Sequence, residues 1–253
     1  MCTMTWNIEQ GSYHVFFNRD EFKTRSKAIP PKQYSVDGMQ VIMPLDPDGG
    51  GTWFAVNHFG CTFALLNYYQ GNLPKGDLVS RGSIVKHCVG FSAFCEVYRY
   101  LQSANLHHFA PFSFVCFMPE GQKGWSVRLF QWDGVALSIY TPRPPISSCA
   151  FDIEQVIEAR KLAFEQMIRA LPEGVNTSLD FAQLHQSHHA HAPTLSYCLH
   201  RHDSETVSFT QLTVDHLAIH LSYCDGPPCQ TTMSERVSMM RSMPPEHHLD
   251  RAV

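Results

Sequence analysis

The chain begins with MCTMTWNIEQGSYHVFFNRDEF (residues 1–22), and this stretch decides the fold. Thr3–Ile8 alternates as a strand does, a Glu-Gln-Gly-Ser turn follows, and Tyr13–Phe17 is rich in aromatic and β-branched residues. The pattern predicts a β-hairpin that forms without any long-range contact. Antiparallel pairing brings Asn18–Glu21, at the end of the second strand, next to Cys2, at the start of the first.

Cys2 is the residue of this hairpin that could act as a nucleophile. Methionine aminopeptidase tends to remove Met1 when the next residue is small, and Cys2 then carries both a thiol and the free α-amine. Because an α-amine has an ordinary pKa of about 7.7 to 8.0, it is partly neutral at pH 7 and can take the thiol proton. Attack on an amide or ester carbonyl would give a thioester. The competing interpretation is that Cys2 is an incidental second residue.

Polar residues at two strand ends could assist Cys2. Arg19 could tune the thiolate, and an acid at Asp20 or Glu21 could hold the α-ammonium group. Asn67 ends a later predicted strand, from which its side-chain amide could donate to an oxyanion. Because side chains alternate along a strand, Arg19 and Glu21 share one face while Asp20 faces the other way. The run also has a plainer interpretation as a strand exit with solvated charges.

The composition is that of a globular protein without a nucleic-acid or membrane signature. Hydrophobic residues make up 44% of the 253, the formal net charge is -4, and the basic residues form no block that would follow a phosphate backbone. No window approaches the roughly eighteen apolar residues of a membrane span. The nine cysteines are scattered and the N-terminus has no secretory signal, so we expect a reducing, cytoplasmic setting. A small molecule is the expected partner, and the sequence leaves open whether the chain forms a homo-oligomer.

The next part of the chain predicts a loop, a hairpin and a long helix. Arg25–Gln40 contains two adjacent prolines and is interpreted as irregular. The glycines of Gly49–Gly51 predict a tight loop where backbone approaches backbone or a ligand. Thr52–Asn57 and Cys61–Asn67 are predicted to form a second hairpin, and the apolar spacing over Ser80–Leu101 is helical.

The remainder alternates between strands and helices. Three β-rich runs predict a meander, a helix follows from Asp152 with Gln155 in a capping-box pattern, and a shorter helix begins within Asn176–Ala192. The predicted strands are Phe112–Met118, Trp125–Trp132, Val135–Tyr140, Leu195–His200, Thr206–Val214 and Leu217–Tyr223. This order predicts an α+β fold, a four-layer αββα sandwich of two antiparallel sheets flanked by helices. We expect one domain over residues 1–225 and a C-terminal tail, without a clear element, over 226–253.

The run His185–His191 is rich in histidine, a residue type that often binds metal ions. Its imidazoles have i, i+3 and i+4 spacing, which could present them together at a helix end. No carboxylate or cysteine completes a ligand set nearby in the sequence. We therefore interpret the run as a solvated linker and expect no metal site.

Several ordered motifs resemble those of a known family. The chain resembles the NRDE family, also called the transport and Golgi organisation protein 2 family, whose name comes from the run at 18–21. The similar segments are Met1–Thr3, Asn18–Phe22, Gly50–Trp53, Asn57 with Gly60, Leu66–Tyr68, Ser80–Gly82 and, later in the chain, His200-Arg201 and Thr206–Ser208. The resemblance implies the αββα fold of N-terminal nucleophile hydrolases, as in the choloylglycine hydrolase and penicillin V acylase group.

The resemblance also implies roles for individual residues. Cys2 takes the place of that group's nucleophile, and Asn67 takes the place of an asparagine that donates to the oxyanion. Aligned without a gap, Glu21 stands in the place of the group's aspartate and Asn18 in that of its arginine. If the alignment is shifted by one residue, Arg19 stands in the place of the arginine and Asp20 in that of the aspartate.

Four further residues are candidates for substrate binding. Ser148 stands where the group has a second asparagine, although a hydroxyl offers one donor where an amide offers two. The group's late arginine corresponds by spacing to Arg201. From its residue type alone, Trp53 could form an aromatic wall of the pocket or plain core, and Arg81 could contact an anion.

Two functions of different classes follow. The first is an N-terminal cysteine hydrolase that cleaves a non-peptide linear amide, a C–N bond, through a Cys2 thioester after loss of Met1 and without a cofactor. The second, which the resemblance implies, is a binding or trafficking protein for haem or another hydrophobic anion such as an acyl-coenzyme A.

Overall fold

The computed structural model describes residues 2–120, 124–171, 178–189 and 191–244. Over these ranges the chain forms thirteen strands in two antiparallel sheets. The strands are β1 (Cys2–Glu9), β2 (Ser12–Phe22), β3 (Ile29–Val36), β4 (Met39–Leu45), β5 (Phe54–Asn57), β6 (Thr62–Asn67), β7 (Phe112–Pro119), β8 (Trp125–Trp132), β9 (Leu137–Tyr140), β10 (Ile146–Ser148), β11 (Ser204–Val214), β12 (Ala218–Cys224) and β13 (Glu235–Met240). The first sheet has the order β10-β1-β2-β11-β12-β13, and the second has β3-β4-β5-β6-β7-β8-β9.

Two pairs of helices cover the outer faces of the sheets. The helices of the described ranges are α1 (Gly82–Cys88), α2 (Phe94–Ser103), α3 (Ile153–Ala170) and α4 (Ser178–Gln186). The first two bury residues such as Val85 and Leu101 against the second sheet. The last two bury Phe164 and Phe181 against Phe16 of the first sheet. The layers confirm the predicted αββα sandwich, and none of these helices is long and apolar enough to cross a membrane.

A buried apolar layer between the sheets holds them together. Alternate residues of β2, namely Tyr13, Val15 and Phe17, point into this layer and are fully buried. The Phe17 ring packs edge-on to Phe54 of the second sheet, with centroids 5.9 Å apart, and Tyr13 stacks on Phe117 at 5.1 Å. Each such burial contributes roughly 1.5–3 kcal/mol. The alternation of β2 therefore fixes which of its faces meets the second sheet.

The predicted N-terminal hairpin is confirmed, and it lies inside the first sheet. β1 and β2 pair antiparallel from Cys2 opposite Arg19 to Glu9 opposite Ser12. β2 also pairs with β11, where a bulge at Val207 shifts the register. The end of β2 is thus enclosed by strands on both sides.

The prediction of an irregular segment over Arg25–Gln40 is wrong. Ile29–Val36 forms β3 and pairs with β4 through a turn at Asp37-Gly38, where both residues have positive φ. β3 is the edge strand of the second sheet, and an edge tolerates prolines because one side of the strand needs no N–H donor. A register shift at the two prolines accommodates them.

The predicted helix over Ser80–Leu101 is in fact two helices, α1 and α2. Gly90 lies between them, and glycine costs about 1 kcal/mol relative to alanine in a helix interior. The Glu96 carboxylate accepts hydrogen bonds from the backbone N–H groups of Ser92 at 2.8 Å and Ala93 at 2.9 Å, which starts α2. The continuous apolar spacing hides this second start.

Three details in the later part of the chain also differ from the prediction. Leu195–His200 is not a strand, and its Cys198 N–H donates to the Ser187 carbonyl at 3.1 Å instead. Glu235–Met240, in the tail predicted to lack a clear element, forms β13 and pairs with β12. The helix after Asp152 is confirmed as α3, but Asp152 has a φ of 49° and its side chain makes no capping hydrogen bond within the described residues.

The predicted close approach at Gly49–Gly51 is confirmed. A Cβ atom on Gly51 would lie 2.5 Å from the carbonyl carbon of Gly82, the first residue of α1. The Thr52 N–H donates to the Gly82 carbonyl at 3.3 Å. Because glycine alone allows this contact, it fixes the loop before β5 against the N-terminus of α1.

Candidate active site

Cys2 lies between two strands that each place a polar residue beside it. It pairs with Arg19 of β2 on one side and with Ser148 of β10 on the other. Directly paired residues of antiparallel strands project from the same face, so all three face the second sheet. Cys2 is 9% exposed, and its backbone nitrogen donates to Ser148 Oγ at 2.9 Å. Ser148 therefore holds the atom that would become the α-amine on removal of Met1.

The surroundings of the Cys2 thiol favour its protonated form at rest. Burial raises its pKa, and the nearby Asp20 carboxylate raises it further. The Asp20 backbone N–H donates to the sulfur and the Arg19 charge lies within electrostatic reach, and both lower the pKa. Since burial is the largest of these effects, the thiol needs a base before it can attack a carbonyl.

Arg19 is the centre of a charged network at the edge of this site. Its guanidinium lies over the Trp53 ring, 4.2 Å from the centroid, and its Nη2 is 3.6 Å from Glu21 Oε2 and 3.9 Å from Asp46 Oδ1. Arg25 contacts the same two acids, with Nη2 2.5 Å from Asp46 Oδ2 and Nε 3.6 Å from Glu21 Oε2. Trp53 itself belongs to the buried layer between the sheets, so it supports Arg19 from the core.

The second sheet contributes Asn67, Tyr69 and Arg81 to the same end of the molecule. Asn67 ends β6, a strand that contacts β1 and β10 across the sheet interface, and its Nδ2 donates to the Tyr69 hydroxyl at 2.8 Å. Burial raises the pKa of Tyr69 and lowers that of Arg81, and a negative charge on Cys2 raises both. The sulfur is therefore within electrostatic reach of both groups. Arg81 Nη1 also donates to the Pro111 carbonyl at 2.9 Å.

Asn18 and Asp20 lie on the other face of β2, toward the helices, as strand alternation predicts. Asn18 Nδ2 donates to the carbonyls of His185 and Tyr197, each at 2.9 Å. Asp20 is 1% exposed and accepts a hydrogen bond from Thr206 Oγ1 at 2.6 Å. Burial raises the pKa of Asp20. These two residues therefore hold the end of β2 in place from the face of the sheet that packs against the helices.

Arg160 is a residue of this region that we did not predict. It is 1% exposed in α3, and its guanidinium donates to the Ser196 carbonyl at 2.7 and 3.1 Å and also to Thr3 Oγ1. Its charge lowers the pKa of Asp20, against the effect of burial. The sequence contained a signal for this burial, because Arg160 lies four residues from both Val156 and Phe164 and so shares the buried face of α3 with them.

Most of the predicted site residues gather at one end of the sheet interface. This group is Cys2, Arg19, Glu21, Trp53, Asn67, Arg81 and Ser148. Arg201 makes its contacts elsewhere, with Nε 3.2 Å from Asp203 and the guanidinium 5.2 Å from the centroid of Phe151. Tyr69, Arg25 and Asp46 join the group without having been predicted, since only tertiary folding brings their loops to β2.

A cavity of about 260 Å³ opens beside Arg19 and Glu21. Four basic side chains face three acidic ones in its lining, so its charge is slightly positive. The charged residues concerned are Arg19, Lys23, Arg25 and Lys27 against Glu21, Glu205 and Asp225.

The histidine run is not uniformly solvated. His185 is fully buried, with its ring 6.1 Å from Phe16 and 5.4 Å from Tyr197, measured between centroids. Its Nε2 is hydrogen-bonded to Thr5 Oγ1 at 2.8 Å. Burial and the Arg160 charge lower its pKa to about 3. The interpretation as a solvated linker is therefore wrong at His185.

We expect His185 to make the protein less stable in mild acid. An unfolded histidine titrates near 6.5, whereas the folded one stays neutral down to a pKa of about 3. Below about pH 6.5 the unfolded chain binds the extra proton, so the free energy of unfolding falls by up to about 1.4 kcal/mol per pH unit. Urea unfolding from neutral pH to about pH 5 should show this slope, and His185→Gln should reduce it. The raised pKa of Asp20 acts in the opposite direction in both proteins, so an equal slope in both would contradict the prediction.

Solved structures of known proteins share this fold at low sequence identity. The N-acylethanolamine-hydrolyzing acid amidase ortholog of Caenorhabditis elegans is 11% identical, with a TM-score of 0.56 over 84% of this chain and 92% of that one. A variant of the conjugated bile acid hydrolase of Clostridium perfringens is 11% identical, with a TM-score of 0.52 over 97% and 99% of the two chains. Penicillin V acylase from Agrobacterium tumefaciens is 14% identical, with a TM-score of 0.50 over 88% and 82%. The fold is that of the N-terminal nucleophile hydrolases.

Sequence comparison identifies the family. A search of curated protein sequences finds no significant match. Residues 1–145 match the family described as Transport and Golgi organisation 2. The matched part is more than half of the chain and contains Cys2, the strand end at 18–21 and Asn67. The protein therefore belongs to the Transport and Golgi organisation 2 family.

Proposed function

We propose that the protein is an N-terminal cysteine hydrolase, which cleaves a non-peptide linear amide through a thioester on Cys2 after removal of Met1. The observation that carries this proposal is the pairing of Cys2 between Arg19 and Ser148, with its nitrogen 2.9 Å from Ser148 Oγ. This pairing would hold an amine and a thiol together at a charged end of the sheet interface. The shared fold supports the same class, since the three similar structures are named as an amidase, a hydrolase and an acylase.

In this mechanism the α-amine of Cys2 is the base. It takes the thiol proton, directly or through water, and the sulfur attacks the carbonyl carbon as the carbonyl π pair moves to oxygen. Ser148 Oγ accepts a hydrogen bond from the amine and keeps it beside the sulfur. The Arg19 charge and the Asp20 N–H favour the thiolate, since both lower the pKa of Cys2.

Asn67 Nδ2 is the side-chain donor proposed for the oxyanion. It donates to the Tyr69 hydroxyl at 2.8 Å, and substrate would replace that acceptor. The tetrahedral intermediate then collapses: the α-ammonium gives its proton to the leaving nitrogen, and the C–N bond breaks. The same amine deprotonates a water molecule, which attacks the thioester and releases the carboxylic acid and the Cys2 thiol.

The charges near Cys2 favour a substrate with an anionic group. Arg81 lies within electrostatic reach of the Cys2 sulfur, and the lining of the cavity beside Arg19 holds one more basic than acidic side chain. The alternative function, binding of haem or an acyl-coenzyme A without hydrolysis, would use the same positive lining. It differs from the first in that it needs no free α-amine.

The free α-amine therefore provides the test. We would compare the chain that starts at Cys2 with the same chain carrying a short uncleavable extension, using N-acyl amino acids and N-acylethanolamines and measuring the released amine. Intact mass spectrometry would verify each N-terminus. We expect hydrolysis only by the chain with the free amine, and ligand-induced thermal shifts in both.

Two outcomes would contradict the mechanism. One is equal hydrolysis by the two chains, and the other is an active protein that retains Met1. Thermal shifts in both chains with hydrolysis in neither would favour the binding function instead.

A further inference from the structure

Four residues with metal-binding side chains lie together near the start of β11. They are His188, Cys198, His200 and Cys229, and their ligand atoms all lie within 4.8 Å of one another. They come from the loop after α4, the segment before β11 and the loop between β12 and β13. The sequence predicted no metal site because no cysteine is near His188 in the chain, but folding brings two cysteines to it.

Of three distances between these atoms, two lie in the range expected for tetrahedral zinc ligands and one is slightly shorter. Cys198 Sγ is 3.5 Å from Cys229 Sγ and 3.7 Å from His200 Nε2, and Cys229 Sγ is 3.1 Å from His200 Nε2. Zinc bonds of about 2.3 Å to sulfur and 2.0–2.1 Å to nitrogen place tetrahedral ligand atoms roughly 3.3–3.8 Å apart. The fourth candidate ligand is His188, whose ring nitrogen lies within 4.8 Å of the other three ligand atoms and whose ring is 5.1 Å from the His200 ring between centroids.

We propose that these four residues bind one zinc ion as a closed site with two thiolate and two imidazole ligands. Binding forms two Zn–S and two Zn–N bonds and releases two thiol protons to solvent, and the thiolates neutralise the charge of the ion. Four protein ligands leave no open position for substrate or a reactive water, so the role of the ion is structural. Cys198 is buried and His188 is exposed, which gives the ion a path from solvent.

Hydrogen bonds already hold the ligand segments in place, as they do around many metal sites. The Cys198 N–H donates to the Ser187 carbonyl at 3.1 Å, which fixes the residue next to His188. Leu199 is bonded twice to Thr206, through its N–H to Oγ1 at 2.8 Å and through its carbonyl to the Thr206 N–H at 2.9 Å. The ligand positions are thus set by backbone contacts as well as by the side chains.

The site connects to the end of β2. Thr206, which holds Leu199 between two of the ligands, also donates to Asp20 Oδ1 at 2.6 Å. Asp20 is the neighbour of Arg19 in the chain. A zinc ion would therefore stabilise the end of β2, which lies beside Cys2, from the face of the sheet that packs against the helices.

Metal analysis of the untagged protein tests the proposal. After purification under reducing conditions from zinc-supplemented cells, the wild type should contain about one zinc per chain. Cys229→Ser and Cys198→Ser should lose it, and the half-buried Cys229 provides a variant with less risk to folding. Cys95→Ser and His202→Ala are matched controls outside the cluster and should retain the ion. Cobalt(II) in place of zinc should give thiolate charge-transfer absorption and the intense visible bands of tetrahedral coordination.

Stability supplies a second measurement. Zinc should raise the unfolding temperature of the metal-stripped wild type and leave that of Cys229→Ser unchanged, because a ligand that binds only the folded state stabilises it. Failure of the reduced wild type to bind zinc, or full zinc content in both cysteine variants, would overturn the proposal. A Cys198–Cys229 disulfide that persists in reducing buffer, seen as a mass lower by two hydrogens, would overturn it as well.

Discussion

Replacing Cys2 with alanine is expected to lower kcat/KM for amide hydrolysis by roughly 10³-fold or more. Alanine keeps the α-amine and its hydrogen bond to Ser148 but removes the sulfur, which is the atom that bonds to the acyl carbon. Hydrolysis of the best amide in the substrate panel, measured at steady state, checks this. The N-terminus of each protein has to be verified by mass, since an uncleaved Met1 would itself abolish the reaction.

Two cysteine variants serve as controls for this experiment. Cys2→Ser keeps a hydroxyl, a far weaker nucleophile at neutral pH, and its activity should lie closer to that of Cys2→Ala than to wild type. Cys95→Ser changes a partly exposed thiol on α2 and should keep full activity. Wild-type turnover by a correctly folded Cys2→Ala protein would rule out the thioester.

Arg160→Met is expected to lower the free energy of unfolding by about 3–5 kcal/mol. The Ser196 carbonyl would lose both guanidinium donors, and Asp20 would lose the charge that does most to lower its pKa. Asp20 is 1% exposed, and a buried carboxylate that loses an opposing charge is strongly destabilising. Urea unfolding at neutral pH measures the loss.

The same helix supplies the control. The Arg169 side chain is 74% exposed, and its Nη2 lies 3.4 Å from Glu165 Oε2. Surface ion pairs of this kind contribute about 0–1 kcal/mol. Arg169→Met should therefore change stability little. Adding Arg160→Met to an Asp20→Asn protein should cost less than it does in wild type, because the charge that it opposes is gone. A loss of under about 1 kcal/mol for Arg160→Met alone would show that the buried contacts are not needed.

The fold could be predicted where its signals are local. The first hairpin needs only a turn between two β-rich runs, and these stand side by side in the sequence. β3 could not be predicted, because its prolines fit only an edge strand and the sequence does not say which strand is at the edge. The break at Gly90 was hidden for a related reason, since the capping contact of Glu96 leaves the apolar spacing unchanged.

The face of the strand on which each site residue lies could be predicted from the sequence. The contacts between residues of different layers of the fold could not. Alternation correctly separated Arg19 and Glu21 from Asp20, because it depends on backbone geometry alone. The contacts of Arg160 and of the Cys198 cluster join segments far apart in the chain. A charge in a helix and a lone cysteine look the same in sequence whether they are exposed or buried.

The position of β1 between β10 and β2 has a consequence for synthesis. Cys2 leaves the ribosome early, but Ser148 is made much later, and β11, which encloses the other side of β2, ends only at Val214. During that interval β1 can pair with β2, but β10 and β11, which flank the hairpin in the folded sheet, are not yet complete. In the folded chain Cys2 is 9% exposed and its nitrogen is bonded to Ser148. The proposed thioester mechanism requires loss of Met1, and this order of synthesis would leave the N-terminus open to the processing enzyme before β10 covers it. Under that mechanism, a chain refolded with Met1 in place would be inactive.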